Sequence, residues 1–342
     1  MPLPRTGPRN LITDVAGLKV GNAEDFSVLT GVTAVIAEGA MVAAADIRGG
    51  APGTRETAAL EPENLVAEIH AIVLAGGSVF GLDAASAVTI ELAKAGRGFR
   101  FGSSQAWPCP VVPAAILFDL ANGGAKDWGT VPPYAELGRQ AFAKAGEDFR
   151  LGLAGAGTGA IAGCLKGGLG SASAIWNGIT VGALVAVNSV GSCINGRSGL
   201  PWSIDYASGG EMGPAEPLPA AMAAELAGSK LDHMADAAQA GANTTIAIVA
   251  TDARLGKAEA KRLAIMAGDG LAIAIRPLHT PFDGDTVFAA ATGRTELEGA
   301  RSLALAHLGG LAAQVLARAV GRAIWEAGSA GVAHSYRSRA GR

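Results

Sequence analysis

Between positions 167 and 196 the chain carries no charged side chain. A run of that length has to be buried, either in a bilayer or in a protein core. Gly, Ser, Thr and Asn interrupt it, and Trp176-Asn177-Gly178 reads as a tight turn between two buried strands, which argues against a spanning helix. In the second strand, 179–187, Ile179, Val181, Ala183, Val185 and Val187 face one way, and Thr180, Gly182, Leu184 and Ala186 face the other. Both sets are apolar or small, so this strand must be covered on both faces.

Further strands are predicted at 18–20, 33–36, 72–74, 171–175, 245–250 and 286–290, and helices at 81–95, 257–275 and 302–327. The last helix carries Leu308, Leu311, Val315, Ala319 and Ile324 on one stripe. Strands with helices on their outer faces make a layered α/β sandwich the economical architecture. The chain has 342 residues, half of them apolar, with a formal net charge of −3. It can therefore bury a large core, as one domain of 1–342 or as two, and it shows no nucleic-acid footprint and no membrane span. The 49 glycines have no fixed period, which excludes collagen-like and linker readings. Cys109, Cys164 and Cys193 lie far apart and are odd in number, as suits reduced thiols in a cytoplasmic protein. The N-terminus lacks the apolar core of a signal peptide, and Arg337, Arg339 and Arg342 read as a solvated end.

The chemistry centres on Asn243-Thr244-Thr245, which runs directly into the strand at 245–250. It reads as a glycosylation acceptor, as a turn into a β-branched strand, or as a masked nucleophile. On the last reading, scission of the Asn243–Thr244 bond gives Thr244 a free α-amine beside its own hydroxyl, so that one residue supplies both base and nucleophile. A Pro/Gly-rich stretch, about 201–242, ends at that bond and reads as an exposed, cleavable segment. Asn188 closes the long strand, either satisfying a turn or offering its amide to an oxyanion. Lys166 is the one charge between Arg150 and Arg197; it sits at a surface turn or beside an active hydroxyl. Asp283-Gly284-Asp285 places two carboxylates on a turn, as solvated acids or as an anchor for an ammonium group. Gly155–Ala160 satisfies a loose G-x-G-x-x-A pattern, better explained by close sheet packing than by a dinucleotide. The five histidines are isolated, which argues against a metal cluster or a Ser–His pair, and nothing calls for a cofactor.

Taken together, the segments 10–21, 46–57, 74–82, 155–173, 185–188, 243–245 and 282–285 resemble the L-aminopeptidase/D-esterase (DmpA-like) family over 10–327. That family includes the β-aminopeptidases and the nylon-oligomer (6-aminohexanoate-oligomer) hydrolases. The resemblance implies a four-layer αββα sandwich of the N-terminal-nucleophile-hydrolase type. It also implies autocleavage into an α chain, 1–243, and a β chain, 244–342, with Thr244 as nucleophile. The family's oxyanion-hole asparagine falls on Asn188, its lysine on Lys166 and its acidic pair on Asp283 and Asp285. Tyr134 is the candidate for a substrate-binding tyrosine. A threonine with two aspartates is closest to the nylon-oligomer hydrolase pattern. A homo-oligomer, a tetramer of processed units, is implied as well. The expected function is hydrolysis of short amides or peptides with a free amino group, through an acyl-enzyme on Thr244. An acyltransferase resembling the ornithine acetyltransferases and a non-enzymatic small-molecule-binding protein are the alternatives.

Overall fold

The computed structural model describes residues 4–102, 106–233 and 243–342. Its strands are β1 (Leu18–Asp25), β2 (Thr30–Ile47), β3 (Thr54–Arg55), β4 (Ile69–Ala75), β5 (Ala114–Ile116), β6 (Ile161–Ala162), β7 (Leu165–Lys166), β8 (Gly168–Trp176), β9 (Ile179–Asn188), β10 (Thr244–Ala253) and β11 (Thr286–Thr295). Its helices are α1 (Asp83–Lys94), α2 (Tyr134–Ala143), α3 (Ala220–Leu226), α4 (Lys257–Ala274), α5 (Arg301–Glu326) and α6 (Tyr336–Ala340).

The charge-free run forms the β8–β9 hairpin. Trp176 pairs with Ile179, leaving Asn177 and Gly178 as a two-residue turn with φ of 49° and 77°. Positive φ at both positions is what an Asn-Gly hairpin turn requires. Strand β2 builds two sheets from one stretch of chain. Its first half pairs with β1 and β4, while its second half pairs with β11. Between the halves, Glu38 and Gly39 are exposed and the register against β4 shifts. The strands follow one hydrogen-bonded path that the long β2 divides into two sheets, β1-β2-β4-β5-β3 and β2-β11-β10-β9-β8, while β6 and β7 pair separately.

Side-chain alternation then sorts the core into three slabs. Val35, Leu74, Leu184, Ile246, Ile248 and Phe288 lie between the sheets. Val181, Val185, Ala247 and Val249 point outward onto Leu263 and Leu271 of α4 and Leu308 and Val315 of α5. Ala34, Ala71 and Val73 point outward from the other sheet onto Val88 and Leu92 of α1 and Leu137 of α2. The order is helix, sheet, sheet, helix, so β9 is covered on both faces as its sequence demands.

Helix α5 is long and apolar enough to cross a membrane, but most of it is buried inside the protein. Its Arg318 pairs with Glu211 at 2.6 Å and donates to the Ser173 carbonyl at 2.9 Å. Gly155 and Gly157 pack as expected: a Cβ at Gly157 would stand 2.0 Å from the Leu169 nitrogen. The segment expected at 201–242 crosses α5 in its described part and buries Met212, Ala223 and Leu226. Positions 234–242 lie outside the described residues.

Candidate active site at the Asn243–Thr244 bond

Strand direction brings the candidate residues to one end of the second sheet. β9 is antiparallel to β10, so the last residue of β9, Asn188, pairs with the first of β10, Thr244. β11 is parallel to β10, so the loop entering β11, with Asp283 and Asp285, arrives at the same end. β8 starts there too, with Gly168 opposite Val187, and Lys166 lies just before it. Asn188, Asn243, Thr244, Lys166, Asp283 and Asp285 are all buried.

Three groups converge on Asn243 at its junction with Thr244. The Thr244 hydroxyl donates to the carbonyl oxygen of Asn243. The Gly284 backbone N–H donates to the same oxygen at 2.9 Å. The Asn243 side-chain oxygen accepts from Lys230 Nζ at 2.7 Å. A hydroxyl and a backbone N–H thus share one carbonyl oxygen, and two donors on one carbonyl can hold negative charge that develops there.

The two aspartates tie the walls together. Asp283 accepts from Val190 N–H at 3.1 Å, Thr280 N–H at 2.9 Å and the Thr280 hydroxyl at 2.7 Å. Asp285 accepts from Thr245 N–H at 2.7 Å and His279 N–H at 3.1 Å, and its Oδ2 lies 2.9 Å from His279 Nδ1. Burial, then the neighbouring Asp285 charge, push the Asp283 carboxyl above its ordinary range.

Asn188 is held by its side-chain oxygen, which accepts from Ile161 N–H at 2.8 Å, and by its amide nitrogen, which donates to the Phe118 carbonyl at 2.9 Å. Lys166 Nζ donates to the carbonyls of Ala160, Gly167 and Gly157 at 2.5, 2.9 and 3.3 Å. Burial pulls Lys166 down to about 7, against the opposing pull of Asp119. Burial does the same to Lys230, to about 7, and Asp283 opposes it.

Tyr134 lies apart from this group. It is buried beneath Gly77, and its hydroxyl is 3.3 Å from that of Thr30, which donates to Asp119 at 2.6 Å. Its connections to the strand ends are indirect: the charge of Asp119 acts on Lys166, and the carbonyl of the adjacent Phe118 accepts from the Asn188 amide.

Sequence reasoning missed Lys230, Gly284 and His279. Lys230 stood in a polar stretch without a motif, and His279 was one of the isolated histidines. Gly284 sat between the two marked aspartates and contributes a backbone N–H, which has no side-chain signature.

The family model described as peptidase family S58 matches residues 10–336. An uncharacterized aminopeptidase of Mycobacterium tuberculosis is 46% identical over 293 residues, covering 83% of this chain and 82% of that protein. A 6-aminohexanoate-oligomer endohydrolase of Kocuria sp. is 31% identical over 336 residues, covering 94% and 87%. Among solved structures, a Burkholderia sp. β-aminopeptidase superposes with a TM-score of 0.70 at 22% identity, covering 99% of this chain and 94% of that one. The L-aminopeptidase D-Ala-esterase/amidase of Ochrobactrum anthropi, a variant of the Ntn-hydrolase fold, gives a TM-score of 0.68 at 21% identity, covering 96% and 89%.

Proposed function

The chain belongs to peptidase family S58, and from that premise we propose that it is an amide hydrolase whose nucleophile, Thr244, is released by scission of its own backbone. Hydrolysis of peptide and amide bonds is the family's chemistry, and the aminopeptidase and amidase relatives share it. The observation that carries the finer reading is the Thr244 hydroxyl lying against the Asn243 carbonyl, whose oxygen is already held by Gly284 N–H.

Attack of Thr244 Oγ1 on the Asn243 carbonyl carbon closes a five-membered ring, with the oxyanion held by Gly284 N–H. The C–N bond then breaks, its nitrogen takes the hydroxyl proton, and an ester joins Asn243 to Thr244 Oγ1. Water hydrolyses the ester, leaving a carboxylate on Asn243 and a free α-amine on Thr244. In the cut enzyme that amine accepts the Thr244 hydroxyl proton as Oγ1 attacks a substrate carbonyl. The proton passes to the departing amine, and water resolves the acyl ester. Gly284 N–H and the Asn188 amide serve the oxyanion, and Lys166 supports charge at the same end of the sheet.

The substrates are short amides or peptides with a free amino group. The Kocuria relative, a 6-aminohexanoate-oligomer endohydrolase, supports including 6-aminohexanoate oligomers among them. We also propose α and β chains of 1–243 and 244–342, assembled as a tetramer of processed units. Intact-mass analysis with N-terminal sequencing tests the reading. A fragment beginning at Thr244 is expected, and a fully active sample containing only the 34.0 kDa chain would refute it. A panel of aminoacyl anilides beside 6-aminohexanoate oligomers, each with and without a blocked amine, resolves the substrate class.

A further inference from the structure

We infer that Lys230 is a positioning residue for scission of the Asn243–Thr244 bond, acting through the Asn243 side chain. The inference rests on the proposal that the chain cuts itself.

Attack by Thr244 requires the Asn243 carbonyl to stay in one orientation, and rotation of Asn243 about its Cα–C bond would swing that carbonyl away. Two tethers oppose the rotation. Gly284 N–H holds the carbonyl oxygen at 2.9 Å, and Lys230 Nζ holds the side-chain oxygen at 2.7 Å. The Asn243 side-chain nitrogen is buried with no partner among the described residues, so Lys230 is the tether that fixes this side chain. Lys230 is itself anchored to the wall of the site. Its backbone N–H donates to the Val190 carbonyl at 3.0 Å, and Val190 N–H donates to Asp283 at 3.1 Å, one residue before Gly284. Both tethers therefore depend on one short circuit, Lys230–Val190–Asp283–Gly284, closed across the bond to be cut. Charge complementarity favours the same placement, because the Asp283 carboxyl opposes the loss of the Lys230 proton.

Below about pH 7 Lys230 is a charged donor; such a hydrogen bond is worth about 1.5–3 kcal/mol, so losing it there slows a step that depends on it by roughly 10-fold to 10²-fold. The test follows scission of the full chain by intact mass over time in wild type, Lys230→Met, Lys230→Arg, Asn243→Ala and the double variant Lys230→Met/Asn243→Ala. Melting temperatures are measured alongside. Lys230→Met is expected to cut about 10-fold to 10²-fold more slowly, Lys230→Arg to recover most of the rate, and Asn243→Ala to match Lys230→Met. The double variant is expected to be no slower than Asn243→Ala alone, because the two residues act as one unit. A merely structural role would instead add its cost in the Asn243→Ala background. Wild-type scission in Lys230→Met, or a further slowing of the double variant by the single-variant factor, overturns the inference. Should Lys230→Met fail to fold, Asn243→Ala still decides: it removes the acceptor alone, and scission at the wild-type rate overturns the inference. A wild-type chain that never cuts contradicts the self-scission reading itself, which keeps the two failures apart.

Discussion

Replacing Gly284 by Ala perturbs the site by a single methyl group. Gly284 has no positive φ, so an L side chain causes no backbone strain there, and alanine keeps the N–H that bonds the Asn243 carbonyl. The new Cβ, however, would stand 2.7 Å from Thr244 Oγ1 and 2.7 Å from the Ala51 carbonyl oxygen, where ordinary contact begins at 3.4 Å. The Ala51 segment cannot retreat freely, because its N–H is bonded to the Asp283 carbonyl at 2.8 Å. The Thr244 hydroxyl must therefore give way by about 0.7 Å, the difference between those two distances. A misplacement of about 1 Å costs roughly 10²-fold in rate, or about 2.7 kcal/mol of barrier. Overpacking should also lower stability by about 1–3 kcal/mol. Scission is followed by intact mass, and amide hydrolysis is followed on an aminoacyl anilide with the cut fraction quantified. A Gly284→Ala chain that folds, cuts itself and turns over within twofold of wild type would refute the claim that Thr244 works in the space beside Gly284.

Asn188→Ala strands the Ile161 N–H and the Phe118 carbonyl, both half-buried, so each loss costs toward the lower end of about 1–3 kcal/mol. A drop in melting temperature is expected, together with a 10²–10³-fold fall in the turnover of the folded protein if the amide also serves the oxyanion. Lys166 titrates near 7 when folded against an ordinary 10.5, so between these values the unfolded chain carries the extra proton and stability rises with pH. Below about 7 both states are protonated and the cost of the buried charge is fully present. Lys166→Met should flatten the rise of melting temperature between pH 7 and 10, and an unchanged slope would count against a buried, neutralising amine.

The parts of the fold that the sequence showed are those whose pattern is local. β9, β10 and β11 begin as apolar runs, and α4 and α5 are long periodic helices, so all five were readable, although β11 continues past its expected end at 290 through Gly293 and Arg294 to Thr295. β2 was read as four residues because its pattern breaks at Glu38 and Gly39, where it leaves one sheet for the other. α2 was missed because it is defined by what it approaches: Gly21 admits the Ala141 carbonyl, and Gly138 lies against Ala84. The candidate site divides in the same way. Thr244, Asn188, Asp283 and Asp285 stand at strand ends, which sequence order exposes. Lys230 and Gly284 reach Asn243 only when β11 is laid parallel to β10 and the preceding segment folds back onto Asn243.

The acidic pair sets the last requirement, since the freed Thr244 amine must be neutral to accept a proton. A carboxylate offers about four acceptor positions, and Asp283 and Asp285 each use three on the donors around them. On each, Oδ1 accepts a single bond, and Asp285 Oδ1 takes the N–H of Thr245, the residue next to the future amine. The pair fixes the walls, and under the proposed mechanism the remaining acceptor on each would serve an ammonium, that of Thr244 or that of a substrate. Nearby negative charge favours the protonated amine and so raises its pKa, while the neighbouring lysine charges oppose that rise. Asp285→Asn removes one of the negative charges and leaves an oxygen able to accept from Thr245. The amine's pKa should fall by about one unit or more, given the one-to-three-unit effect of a charge at about 4–6 Å. The acid limb of kcat/KM should move to lower pH by the same amount, and KM for substrates with a free amine should rise relative to N-blocked ones. A limb that stays in place or moves to higher pH would remove Asp285 from the electrostatics of the nucleophile and leave it only its bonds to Thr245 and to the backbone and ring of His279.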